Sequence, residues 1–198
     1  LHESMMEGWE IFATDGISIH QDTSNEIGNY TLILRYSENN SWDISLQMPY
    51  GWTVTYPREA HYVVTADGTN RSGYNFGIGR VGTIRGTVFN DLNSDGGRDS
   101  AVEVGLSGWT VSAFAQDTSN NRSITTGADG AYVMDDLAPG IYNISEEIPA
   151  GWVQTAPASA LYTLQITSGF VTSSIDFGNF RVIDTIRFRT FSPEDLME

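Results

Sequence analysis

The sequence predicts an all-β protein made of two consecutive β-sandwiches, and three observations carry that prediction. First, the chain repeats itself. Gly51-Trp52-Thr53-Val54-Thr55-Tyr56-Pro57 aligns with Gly151-Trp152-Val153-Gln154-Thr155-Ala156-Pro157 at an offset of 100, and Asn75-Phe76-Gly77-Ile78-Gly79-Arg80 aligns with Asp176-Phe177-Gly178-Asn179-Phe180-Arg181 at an offset of 101. Second, long helical periodicity is missing. Short alternating segments such as Tyr30-Thr31-Leu32-Ile33-Leu34, Gly140-Ile141-Tyr142-Asn143-Ile144 and Tyr162-Thr163-Leu164-Gln165-Ile166 stand between clusters of Gly, Asn, Asp and Pro. Third, 198 residues split at the repeat give two units of the common domain size. Strand spacing of about ten residues, with turns such as Ala128-Asp129-Gly130 and Ala138-Pro139-Gly140, suits sandwiches rather than the shorter repeats of a β-helix.

The repeat sets the boundaries. Residues 1–80 form a first module, 81–182 a second, and 183–198 a C-terminal strand and tail. Gly8-Trp9 aligns with Gly108-Trp109, and nothing before it matches residues 83–99, so the first module lacks its opening strand. Thr185-Ile186-Arg187-Phe188-Arg189-Thr190-Phe191 in turn matches Thr83-Ile84-Arg85-Gly86-Thr87-Val88-Phe89. No Pro/Ser-rich linker separates the modules near Arg80, so one runs straight into the next and a stiff rod is expected. The first residue, Leu1, is read as a processed or trimmed start.

Composition narrows the function. With no cysteine, neither a disulfide framework nor a thiolate zinc site exists. The 25 acidic residues face only 10 basic ones, all arginine, for a net charge of −15. Such a field repels nucleic acid and anionic lipid and attracts cations. No apolar run approaches the roughly 18 residues of a membrane span. Sequons at Asn29, Asn39, Asn70, Asn121 and Asn143 are glycosylation candidates and accord with an exported protein.

The second module carries a motif series in order: Gly86-Thr87-Val88-Phe89-Asn90-Asp91-Leu92-Asn93-Ser94-Asp95-Gly96, Gly105-Leu106-Ser107-Gly108-Trp109-Thr110-Val111, Thr126-Gly127-Ala128-Asp129-Gly130-Ala131-Tyr132, Leu137-Ala138-Pro139-Gly140-Ile141-Tyr142, Pro149-Ala150-Gly151-Trp152 and Ile175-Asp176-Phe177-Gly178-Asn179. This series resembles the B-type repeats of serine-aspartate-repeat surface proteins (the SdrD B type), relatives of collagen-adhesin B-type and prealbumin-like domains. The resemblance implies seven-stranded Greek-key, immunoglobulin-like sandwiches used as a stalk or spacer on cell surfaces. The first module keeps the Gly-Trp, Gly28-Asn29-Tyr30 and Phe76-Gly77 elements but departs where the opening strand and acidic loop belong.

The loop from Asp91 to Asp99 places Asp91, Asn93, Asp95 and Asp99 at relative positions 1, 3, 5 and 9, with glycine at 6 and Gly97 at 7. That is how one tight turn gathers oxygen ligands for calcium. Glu103 would close the shell from position 13 rather than 12, which requires a one-residue bulge. The competing reading is a solvated turn held by Asx hydrogen bonds. Related adhesin domains carry a Lys to Asn or Asp crosslink promoted by a buried acid at the position of Glu146. With no lysine that bond cannot form, and Glu146 is expected at the surface or binding a turn. Trp9, Trp52, Trp109 and Trp152 follow glycine at repeat-equivalent positions, which points to packing rather than a sugar platform. No catalytic constellation is present. His2, His20 and His61 lack metal spacing, and Asp135-Asp136 and Glu146-Glu147 would point to opposite faces of a strand.

The leading reading is an extracellular structural subunit that polymerises head to tail with other copies of itself. Ile186, Arg187, Phe188, Arg189, Thr190 and Phe191 of one copy would fill the empty strand position of the next, with Ile186 and Phe188 facing inward. The alternatives are a calcium-stiffened spacer of a larger adhesin and a carbohydrate-binding module of a secreted protein.

Overall fold

The structure is a computed structural model and describes residues 6–35, 41–116 and 120–182. The expected donor segment Ile186 to Phe191, the sequon at Asn39 and His2 lie outside the described residues. Everything described is strand, turn or loop.

In the first module, β1 (Glu10–Thr14), β2 (Ile19–Thr23), β3 (Ser41–Leu46) and β5 (His61–Thr65) form an antiparallel sheet in the order β2-β1-β3-β5. The facing layer is a ribbon of β4 (Trp52–Tyr56) and β6 (Gly77–Arg80). In the second module, β8 (Thr110–Ala115), β9 (Arg122–Thr125), β11 (Gly140–Glu146) and β13 (Tyr162–Ile166) repeat the first sheet in the order β13-β11-β8-β9. Opposite them lie β7 (Gly82–Asn90), β10 (Ala131–Leu137), β12 (Trp152–Ala156) and β15 (Phe177–Arg181), in the order β10-β7-β15-β12. The two-residue β14 (Val171–Thr172) adds to β7.

Alternation builds each core. In β11, Tyr142 and Ile144 point inward and are fully buried, with Ile141 between turn and core exposed. Thirteen buried residues, among them Ile84, Val88, Val111, Tyr142 and Phe177, form the second core. The first core has five: Ile11, Ala13, Trp42, Ile44 and Val64. Two of the second core's members, Ile84 and Val88, come from β7, for which the first module has no counterpart among the described residues.

The repeat extends to individual hydrogen bonds. The Trp9 amide donates to Ser24 Oγ at 2.9 Å and Trp109 to Thr126 Oγ1 at 3.0 Å. These hydroxyls donate in turn to the carbonyls of Met6 and Leu106. Trp9 meets Trp52 edge to face at 5.2 Å, and Trp109 meets Trp152 at 5.4 Å. Arg80 lies over Trp52 and Arg181 over Trp152. The tryptophans are thus packing elements, with Trp42 and Trp109 buried.

One strand expected from sequence does not form. Residues 30–34 alternate as a strand should, yet they have no ladder. Their counterpart β10 pairs only with β7, so with no edge to bond to among the described residues the alternation forms no strand.

Candidate functional site: the acidic loop and the open strand edge

The acidic loop leaves the end of β7 and is anchored where the Asp91 amide donates to the Asn179 carbonyl at 2.8 Å. Ser94 and Gly96, at φ of 58° and 79°, turn the chain back on itself. Asp91 is wholly buried, and its two oxygens accept the amides of Asp95 at 3.2 Å and Gly96 at 2.8 Å. Glu103, 2% exposed, accepts the amides of Leu92 at 3.0 Å and Asp99 at 2.7 Å. The amides of Val102 and Glu103 both reach the Asp99 carbonyl, a tight turn that sends Val102 outward and Glu103 inward.

Burial pushes the Asp91 carboxyl up, but the Thr155 hydroxyl beside it and the amides of Gly96, Asp95 and Ser94 outweigh burial and hold it below the ordinary carboxylate range. Asn93, Asp95 and Asp99 are exposed. Asn93 Oδ1 accepts the Asp95 amide, Asn93 Nδ2 donates to Asp95 Oδ2 at 2.8 Å, and Asp99 Oδ1 accepts the Ala101 amide. Among the described residues, no three His, Asp or Glu side chains converge in a metal-holding arrangement. The chemistry of the donors still fits a hard cation. The set is all oxygen, and each buried carboxylate spends one lone pair per oxygen on an amide and keeps others. Asn93, Asp95 and Asp99 would have to turn out of their mutual bonds.

Glu146 is not the surface carboxylate the sequence suggests. It lies at the end of β11 facing the last strand, where Asn179 Nδ2 donates to both of its oxygens at 2.9 and 3.0 Å. Asn179 is wholly buried, and its Oδ1 has no partner. Burial pushes Glu146 up to about 8, against which the Asn179 bond pulls it down. The folded state therefore holds a proton that the unfolded chain releases above its ordinary value of 4.5. Stability from this group is full below about pH 4.5 and is lost as pH rises toward 8. Glu146→Gln should keep the hydrogen bond, remove the loss, and raise second-module stability at pH 8 by on the order of 3 kcal/mol. Thermal melts of both proteins at pH 5 and 8 check this; equal pH slopes would reject it.

Among the sequons, Asn29, Asn70 and Asn121 are exposed. The Asn143 side chain is engaged, accepting from Gln116 Nε2 and Thr163 Oγ1. His61 pairs with Asp43 at 2.6 Å, and His20 packs edge-on against Trp42, so neither sits among other metal-binding groups.

The second feature is an edge. In the second module, β15 lies between β12 on one side and β7 on the other, in parallel register that sets Phe177 beside Val88 and Gly178 beside Phe89. In the first module, β6 pairs with β4 alone among the described residues. The frame around that free side is otherwise the same. The Tyr30 hydroxyl donates to the Tyr74 carbonyl as Tyr132 donates to Ile175 at 2.6 Å, and Tyr62 reaches Asn75 as Tyr162 reaches Asp176. Burial pushes the Tyr30 phenol up to about 12 and Tyr132 further still. Phe76 is half-buried where Phe177 is fully buried.

Sequence reasoning missed the role of Gly86. Tyr132 sits directly opposite it, and a Cβ built on Gly86 would lie 1.8 Å from the Ile175 carbonyl oxygen. No substituent fits there. The signal in the sequence was a lone glycine inside a strand pattern, which marks a close backbone approach.

The scan of family models matches the SdrD B-like domain over residues 82–165. Serine-aspartate repeat-containing protein D of Staphylococcus aureus strain Newman is 24% identical over 157 residues, covering 70% of this chain and 11% of that protein, and the protein of strain MW2 gives the same figures. The chain thus spans about a tenth of the length of these curated relatives. Among solved structures, the minor pilin GBS52 of Streptococcus agalactiae is similar at 10% identity and TM-score 0.41, covering 96% of this chain and 89% of that one. The shaft pilin SpaA of Lactobacillus rhamnosus GG is similar at 10% identity and TM-score 0.39, covering 91% and 90%. Neither pilin likeness bears on the family. The ordered motifs and the model match together place the second module, over residues 82–165, in the SdrD B-like domain family.

Proposed function

We propose that this chain is a structural stretch of an extracellular, cell-surface protein, in which β-sandwich modules run directly into one another as a stalk and carry no catalysis. The supporting observation is the junction. A single residue, Val81, separates β6 from β7, and the Arg80 amide donates to Ser168 Oγ of the second module at 2.8 Å. In sequence, residues 185–191 repeat residues 83–89, the opening segment of the second module. The family of the second module and its serine-aspartate-repeat relatives favour the same reading.

A head-to-tail filament is the second reading, favoured by the free edge of β6. Residues 185–191 of one copy would then pair with the first module of the next. Size-exclusion chromatography and electron microscopy of the whole chain, with and without residues 183–198, separate the two. An elongated monomer in both supports the stalk. Fibres that vanish with the deletion support the filament.

Calcium enters as part of the stalk reading. Asp91, Asn93, Asp95, Asp99 and Glu103, with the Gly97 carbonyl, would hold it, and it would supply stiffness at the head of the second module. Calorimetric titration should give one site per chain, lost in Asp95→Ala, whose side chain is exposed and so removable without opening the core. Two equal sites, or none, would contradict the assignment. Exposed Asn29 and Asn70 are the sequons open to glycosylation on such a surface, whereas Asn121 Oδ1 accepts the Ala115 amide.

A further inference from the structure

We infer that the turn at residues 167–170 and Pro139 of the second module form a docking surface for the end of β6, and that this contact fixes the angle between the two modules without calcium. The inference rests on the stalk reading and adds what holds the modules in one orientation. Neighbouring domains move relative to one another unless a contact locks them. Here the lock involves four consecutive residues beside the joint. Gly79 is buried, and a Cβ built on it would lie 3.1 Å from Pro139 Cγ, 3.3 Å from Thr55 Cγ2 and 3.5 Å from Ser168 Oγ. Two of those three neighbours belong to the other module. Arg80 spans both modules: its amide donates to Ser168 Oγ at 2.8 Å, its Cδ lies 3.4 Å from the position of a Cβ on Gly169, and its guanidinium rests over Trp52 of its own module at 5.2 Å. The amides that follow are tied to opposite sides. Val81 donates to the Gly51 carbonyl of the first module and Thr83 to the Phe170 carbonyl of the second, each at 3.0 Å.

The repeat separates what the strand needs from what the joint needs. Phe180 of β15 takes the place that Gly79 has in β6, and its ring is half-buried without a second module against it among the described residues. A strand of this kind therefore carries a phenyl ring at that position. At position 79 the same ring would occupy the space that Pro139 and Ser168 fill. Glycine at 79 serves the joint, not the strand.

The acidic loop lies at the other end of the second module. β7 begins at the joint with Gly82 and ends at Asn90, and its 9 residues at about 3.3 Å each set Asp91 roughly 30 Å away. β15 runs parallel to β7 and ends on the loop's side, where the Asp91 amide meets the Asn179 carbonyl. A cation held there touches neither Gly79, Arg80 nor Ser168. The angle at this joint is thus set by packing and hydrogen bonds alone.

The test compares residual dipolar couplings of the two modules in the whole chain, with calcium added and with a chelator. One alignment tensor should fit both modules of the unaltered chain in either buffer. Gly79→Phe should uncouple them, so that their alignment magnitudes differ by about twofold or more. Ser168→Ala changes an exposed turn residue that the second core does not use, and should uncouple them to a smaller extent, which keeps the test decisive if Gly79→Phe unfolds the first module. Two tensors in the unaltered chain, one tensor only when calcium is present, or one tensor unchanged in both variants would each overturn the inference. Sedimentation of the same samples reads the stalk apart from its joint. An elongated monomer with two tensors would leave the stalk reading standing without this lock, whereas fibres would overturn both.

Discussion

Gly86→Ala is expected to destabilise the second module by about 3 to 5 kcal/mol, at the extreme end of single substitutions. The added methyl would lie 1.8 Å from the Ile175 carbonyl oxygen and 2.8 Å from the Tyr132 hydroxyl. These two atoms are bonded to each other at 2.6 Å, so neither moves without breaking a buried hydrogen bond. Only displacement of β7 from its neighbours relieves the overlap. Gly151→Ala is the control. Its φ of +85° strains an alanine, but nothing lies within 4 Å of the new carbon, so about 1 kcal/mol is expected. Urea unfolding followed by tryptophan fluorescence measures both, and comparable losses would mean that the approach at Gly86 is not as close as described.

Phe177→Ala should cost about 3 to 5 kcal/mol, while Phe76→Ala should cost about 1 to 2 kcal/mol, although the two occupy equivalent places in the repeat. Phe177 is wholly buried between β7 and Tyr162, whose ring lies 5.5 Å away. Phe76 is half-buried, because its strand has no neighbour on that side among the described residues. Truncating a ring that already touches water removes less apolar area and opens less of a cavity. Calorimetry resolves the modules as separate transitions if each unfolds on its own, and each substitution should lower only its own. Equal losses would show that the first module buries Phe76 as fully as the second buries Phe177.

Much of the architecture was legible from residue order. Tryptophan after glycine, proline five residues later and the Phe-Gly near the last strand recur because each performs one local task, and the same pairs of rings and amides meet in both modules. The sequence also marks an oxygen-rich tight turn from Asp91 to Asp99, because side-chain oxygens in such a turn act over a few residues. Segment 30–34 was misread as a strand. Its alternation is real, but a ladder needs a partner, and the pattern of one segment does not say whether a neighbour is there.

What the sequence by itself determined is the repeat, the all-β class and the chemistry available: no thiol, no lysine, an acidic field and one oxygen-rich loop. These follow from composition and short-range pattern. Tertiary structure decided what depends on approach between distant segments. Glu146 became a proton-holding group only because the last strand carries Asn179 against it, 33 residues away in the chain. Gly86 became indispensable only because Tyr132 draws the Ile175 carbonyl across β7, a contact spanning 43 residues. Spacing along a chain fixes which atoms exist and which side of a strand they take; only packing brings a carbonyl within reach of a Cβ.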